Sequence, residues 1–206
     1  MNELIVFEGI DGAGKSTQIL CLGAWLQQAG RVCRLFKEPT DGPLGTKIRS
    51  LAKMQQRLPV EEEYGLFLED RRWNIDHQMA PALDRGEVVL LDRYYYSTAA
   101  YQGIRGLDAE KILRENEVFA LKPGLALFFE LSVEQALQRI QQGREGGFDA
   151  FERKCDLERI HAAFEKIDRP EIVRVNAALP QQELEQVIRR VVTERFPRIT
   201  EPVAQP

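Results

Sequence analysis

Leu4-Ile5-Val6-Phe7-Glu8-Gly9-Ile10-Asp11-Gly12-Ala13-Gly14-Lys15-Ser16-Thr17 is the stretch that decides the fold. Five residues that read as a buried strand run straight into G-x-x-x-x-G-K-[ST], the pattern of a phosphate-binding loop. The glycines let the backbone bend so that successive N–H groups face one anion. Lys15 adds a full positive charge, and the Ser16 hydroxyl offers a ligand to Mg²⁺. From Thr17 to Gln28 the chain reads as a helix whose N-terminus faces the phosphates.

Outward from that loop, short apolar, β-branched runs alternate with helix-like stretches. Residues 4–8, 32–36, 88–92, 125–131 and 172–175 are the expected strands; residues 46–53, 61–85, 109–121, 133–142, 151–167 and 181–196 are the expected helices. Five strands separated by helices imply a parallel sheet covered on both faces. That is why Val88-Val89-Leu90-Leu91 and Leu125-Ala126-Leu127-Phe128-Phe129 are continuously apolar instead of alternating. The expected fold is α/β: a three-layer sandwich of P-loop NTPase type, with a five-stranded parallel sheet flanked by helices and a short lid. Ligands of such sheets gather beyond the carboxyl ends of the strands. Here those ends carry Glu8, Glu38-Pro39 and Asp92-Arg93-Tyr94. Arg144-Glu145-Gly146-Gly147-Phe148-Asp149 breaks the pattern and reads as a mobile segment of a lid at about residues 140–153. Residues 1–197 read as one domain, and the polar, proline-bearing residues 198–206 as a frayed tail.

The 206 residues carry a formal net charge of -4, so no overall basic field favours a nucleic-acid polymer, and a small nucleotide is the expected partner. Cys21, Cys33 and Cys155 are odd in number and widely spaced, which fits reduced packing thiols and gives no metal site. His77 and His161, the only histidines, lie near no Ser or Cys in a nucleophile pattern. No apolar run approaches the roughly 18 residues that span a bilayer, and no signal segment opens the chain. A cytoplasmic protein without membrane contact is expected.

Two further groupings bear on chemistry. Asp92, ending an apolar strand, can hold water on the Mg²⁺ that Ser16 ligates, while Arg93 bridges a transferred phosphoryl group. Phe67 and Arg71 are four apart and share one helix face; a flat ring beside a fork-shaped donor suits a planar base, the ring stacking and the guanidinium reading a carbonyl edge.

Together with the loop, Glu38-Pro39-Thr40-Asp41-Gly42, Phe67-Leu68-Glu69-Asp70-Arg71 and Asp92-Arg93-Tyr94-Tyr95-Tyr96-Ser97-Thr98-Ala99-Ala100-Tyr101-Gln102-Gly103 make the chain resemble the thymidylate kinase family. The blocks come in the family's order, and the likeness runs from about Leu4 to Val175-Asn176-Ala177. The resemblance implies transfer of the ATP γ-phosphoryl group to dTMP, with Mg²⁺, by a homodimer. On the acceptor side it implies that Phe67 stacks on thymine, Arg71 bonds its O4 edge and Thr98 meets it near N3. Tyr101 would crowd the sugar's 2′ position, Asp11 would approach the sugar, Arg93 would clamp the acceptor phosphate, and Glu38 and Ser97 join the same group. On the ATP side it implies Gly9 to Thr17, with Arg139, Asn176 and Ala177 around the adenine. Two positions depart from the pattern. Gly12 stands where some members have an arginine, which moves the catalytic charge to the lid, at Arg144 first and Arg153 second. Glu69 stands beside Arg71 where a small or apolar residue is usual, which bears on where Arg71 points. Another nucleotide or deoxynucleoside as acceptor, and a non-catalytic nucleotide-binding module, are the alternative readings.

Overall fold

The structure is a computed structural model that describes residues 3–54, 58–142 and 150–201, without the side chains of residues 150–153. The five strands are β1 (Leu4–Glu8), β2 (Cys33–Lys37), β3 (Val88–Asp92), β4 (Leu125–Glu130) and β5 (Ile172–Asn176). All pair in parallel in the order β2-β3-β1-β4-β5. β1 therefore lies at the centre, and the chain runs to β3 and β2 on one side of it and to β4 and β5 on the other. The carboxyl end of β1 is where this topology opens a crevice.

Both faces are covered, as the continuous apolar runs require. Phe128 of β4 meets Tyr96 and Phe164 edge-on, with ring centres 5.4 and 5.6 Å apart. Its neighbour Phe129 points to the opposite face and meets Phe7 of β1 at 5.9 Å. On that second face α1 (Lys15–Gln28) comes close enough that a Cβ on Gly23 would lie 3.4 Å from Leu35 and 3.5 Å from Leu90.

After β2 come α2 (Pro43–Lys53) and α3 (Val60–Asn74). The helix expected over residues 61–85 is not uniform: it passes through a π-helical turn, Ile75–Met79, before α4 (Ala80–Asp84). Pro81 explains the turn, because a proline donates no N–H and its ring collides with the carbonyl four residues back, which the wider turn accommodates.

Two helices, Tyr95–Gly103 and the short Pro197–Thr200, fall outside the expected ones. α5 (Tyr95–Gly103) buries Tyr95, Tyr96, Ser97, Thr98, Ala99, Ala100 and Gln102. A helix buried on nearly every side shows no polar stripe and so no 3.6-residue period in its sequence. Then follow α6 (Ala109–Glu117), α7 (Val133–Gln142), α8 (Ala150–Glu165), α9 (Gln181–Arg195) and α10 (Pro197–Thr200). The frayed tail expected from Arg198 does not hold for its first residues. Ile199 is buried, and Arg31 Nη2 donates to the carbonyls of Arg198 and of Glu201, the latter at 3.2 Å. Residues 202–206 and the segment 144–149, with most of the expected lid, lie outside the described residues.

Candidate active site

The loop after β1 turns at Gly9, Gly12 and Gly14, whose φ angles of 134°, 82° and 90° are costly for residues with a side chain. Crowding is a second reason at two of them. A Cβ on Gly9 would lie 2.8 Å from the Phe129 carbonyl oxygen, and one on Gly12 2.6 Å from that of Ala136 in α7. A loop arginine at position 12 has no room unless α7 moves. α1 then begins without a side-chain cap, so its first N–H groups remain for an anion.

Lys15 is buried and donates from Nζ to the carbonyls of Gly9 (3.0 Å) and Ile10 (2.9 Å). Burial, with Arg93 as the next influence, pulls its ammonium down to about 8. A phosphate arriving beside it favours the charged form, so ATP binding at about pH 8.5 is expected to take up a proton. Calorimetry in two buffers of different ionisation enthalpy measures that uptake; heats independent of the buffer would mean that Lys15 meets no phosphate.

Ser16 Oγ donates to Asp92 Oδ2 at 2.8 Å, joining the loop to the last residue of β3. The other carboxylate oxygen, Oδ1, is buried and has no hydrogen-bond partner. Such an oxygen beside a hydroxyl fits a cation or the water that a cation carries. Among the described residues no three His, Cys, Asp or Glu gather to hold a metal by themselves. Mg²⁺ does not require that, because it is commonly bound by one or two protein oxygens together with phosphates and water.

Arg93, next in the chain, has a φ of 68°, the only positive value outside glycine among the described residues. Its Nη1 donates to Gly9 O (3.1 Å) and Ser97 Oγ (3.0 Å), and its Nη2 pairs with Asp11. The guanidinium carbon stands 5.2 Å from the centre of the Tyr101 ring, whose hydroxyl is buried without a hydrogen-bond partner. Behind Arg93 lies Glu8, fully buried. Burial raises its carboxyl to about 7, against the opposing pull of Ser97 and Arg93.

Arg71 occupies the other half of the crevice and is 1% exposed. Nε and Nη2 donate to Glu38 Oε2 at 2.9 and 2.7 Å, Nη2 also to Thr98 Oγ1 at 2.9 Å, and Nη1 to Asn116 Oδ1 at 2.6 Å. Asn74 Nδ2 donates to the second Glu38 oxygen at 3.1 Å. Asp70 accepts from the backbone N–H (2.8 Å) and hydroxyl (2.6 Å) of Thr40, which fastens the segment after β2 onto α3. Glu69 is exposed and takes no part, so the departure beside Arg71 does not redirect it. Phe67 is half-buried and stands outside the apolar core.

On the far side of the loop Arg139 Nη2 donates to Ala177 O at 3.0 Å, and its Nη1 would lie 3.9 Å from a Cβ on Gly14. Asn176 is exposed, with its side-chain oxygen accepting from Ala178 N at 3.0 Å.

Comparison with known proteins decides the lineage. The Thymidylate kinase family model matches residues 7–188. The chain belongs to the thymidylate kinase family. A thymidylate kinase of Akkermansia muciniphila is 43% identical over 196 residues, 95% of this chain and 94% of the relative. One of Desulfotalea psychrophila is 42% identical over 190 residues, 92% of each chain. A probable thymidylate kinase of Archaeoglobus fulgidus is 38% identical over 190 residues, 92% of this chain and 94% of the relative.

Within this thymidylate kinase family chain, Arg93 joins the loop to α5, Ser16 joins the loop to Asp92, and Arg71 joins α3 to Glu38 and Thr98, while Arg139 and Ala177 meet beside Gly14. Arg144 lies outside the described residues. Arg153 stands in the first turn of α8, and its side chain is not described. Sequence reasoning missed Asn74, Asn116 and Asp70, which hold other site residues. A polar residue that ends up fully buried has no marker in a linear sequence. Asp70 and Asn74 did give a signal, since at three and seven residues after Phe67 they share its helical face with Arg71.

Proposed function

We propose that this chain transfers the γ-phosphoryl group of ATP to dTMP, giving dTDP and ADP. The observation that carries it is the meeting, along the carboxyl edge of the sheet, of the phosphate loop after β1 with a buried arginine, Arg71 of α3, that Glu38 after β2 holds in place. Such transfer needs alignment and charge neutralisation more than covalent chemistry. Lys15 would exchange the Gly9 and Ile10 carbonyls for β- and γ-phosphate oxygens, beside the uncapped N–H groups of α1. Ser16 and Asp92 would hold Mg²⁺, which when bound neutralises phosphate charge. Arg139 and the Asn176-Ala177 loop would flank the adenine.

On the acceptor side, the four bonds of Arg71 leave one Nη1 hydrogen for the base. A single donor there favours the thymine O4 and opposes the amino group of cytosine. Thr98 keeps a lone pair for N3–H, Phe67 stacks, and Asp11 approaches the sugar. Glu38 serves by holding Arg71, and Arg93 clamps the acceptor phosphate. With Gly12 crowded, the remaining positive charge is assigned to Arg144, and to Arg153 second. A homodimer and a single domain over residues 1–197 belong to the same reading. No helix of the described residues is long and apolar enough to cross a membrane.

A coupled assay of ADP release tests the activity. Release that depends on dTMP and is far weaker with dCMP or thymidine is expected; equal release with all three, or none with dTMP, overturns it. Sugar choice is a separate expectation. Wild type prefers dTMP to its ribose counterpart, and Tyr101→Ala narrows the ratio of kcat/KM by about tenfold or more, the scale of one steric clash in a pocket. An unchanged ratio would mean that the Tyr101 ring does not meet the 2′ position.

A further inference from the structure

Glu8 closes β1, and the reading above gives it no part in substrate binding. Its Oε1 accepts from the backbone N–H groups of Tyr94 (2.8 Å) and Ser97 (3.2 Å), which caps α5 from another element. Its Oε2 accepts the Ser97 hydroxyl proton. With that proton committed, Ser97 Oγ can only present lone pairs to Arg93 Nη1, 3.0 Å away.

We propose that Glu8 is a positioning residue for phosphoryl transfer, holding the Arg93 guanidinium against the phosphate loop through Ser97. The inference rests on the proposed role of Arg93 at the acceptor phosphate. Two features of the geometry carry it. The first is the division of the guanidinium: Nη1 is held by Gly9 O and Ser97 Oγ, which uses both its hydrogens, while Nη2 pairs with Asp11. Asp11 is exposed and is proposed to turn to the sugar, so the Nη1 pair is the anchor that remains. The second is the left-handed backbone of Arg93. Its own N–H donates to Phe7 O at 3.0 Å and the next N–H to Glu8, so both sides of the strained residue are tied to β1. Strain of this kind persists only where the surroundings over-determine it.

Glu8→Gln keeps the volume and an acceptor for the two backbone N–H groups, yet it turns a donor toward Ser97. The serine oxygen then faces two donors, and its own proton loses its acceptor. The expected result is a fall in kcat of about 10²-fold, the scale of a small misplacement at the reacting group, with the KM for ATP within about twofold of wild type. Ser97→Ala falls to a similar degree, the double variant falls no further, and Ser97→Thr, which keeps the hydroxyl, retains most activity. Wild-type turnover in folded Glu8→Gln, or multiplying losses in the double variant, overturns the relay. Should Glu8→Gln not fold, the serine pair decides: Ser97→Ala matching wild type, or Ser97→Thr as slow as Ser97→Ala, sinks the proposal. A wild-type chain without dTMP-dependent ADP release would instead overturn the assigned reaction, a different and separately visible failure.

Discussion

Arg93→Ala is expected to lower kcat by about 10³-fold or more, the range in which a transition-state arginine acts in phosphoryl transfer. The backbone contributes little to this loss, because alanine and arginine are disfavoured alike at a φ of 68°. What disappears is the only guanidinium that touches both the loop, at Gly9 O, and α5, at Ser97 Oγ, among the described residues. The carboxylates of Asp11 and Asp92 would then face the incoming phosphates without it. The KM for dTMP should rise more than that for ATP, since the proposed clamp is on the acceptor. Arg93→Lys should recover only part of the rate, because one ammonium cannot serve Gly9, Ser97 and a phosphate with a fork's geometry. Steady-state kinetics on the purified, folded variants decide the matter; a kcat within about tenfold of wild type would remove Arg93 from the transition state.

Glu38→Ala should cost stability in addition to activity, by about 3–5 kcal/mol, the penalty of leaving a buried charge unpaired. Arg71 and Glu38 side chains are 1% and 4% exposed, so water cannot replace the lost carboxylate. Three bonds vanish from Glu38 at once, two from Arg71 and one from Asn74. Glu38→Gln keeps one acceptor and should lose less. In the double variant with Arg71→Met the stranded charge is gone, and stability should return in part, as expected of coupled residues. Urea unfolding measures all three variants. A loss below about 1 kcal/mol for Glu38→Ala would show that the pair is solvated in solution.

The sheet was legible because a parallel strand buried on both faces writes itself as an unbroken apolar run, as residues 88–91 and 125–129 do. The phosphate loop was legible because its backbone demands glycine at fixed positions, and Gly9 and Gly14 bear that out in their φ angles. The base side was less so. Phe67 and Arg71 could be paired by helical spacing, but the partners of Arg71 come from the segment after β2, from α5 and from α6, and no local rule joins residues 38, 98 and 116. α5 escaped notice for a related reason. Its cap is Glu8, 86 residues before Tyr94, and its buried surface has no polar face to mark a period. The π-helical turn was invisible as a turn, although Pro81 marked a place where a regular helix could not continue.

The capping of α5 by a strand so distant in the chain also sets an order of assembly. A nine-residue helix with no cap of its own is a poor nucleus, since isolated helices of that length are marginal in water. It can persist only after β1 has taken its place beside β3 and brought the Glu8 carboxylate to its N-terminus. Contacts of such sequence separation form late, because the chain between them must first be closed into a loop. The donor and acceptor halves of the crevice are thus completed by one event, the docking of β1, and a folding intermediate without it has neither. Nucleotide affinity should therefore appear during refolding as a single late step, in register with the last burial of the central strand.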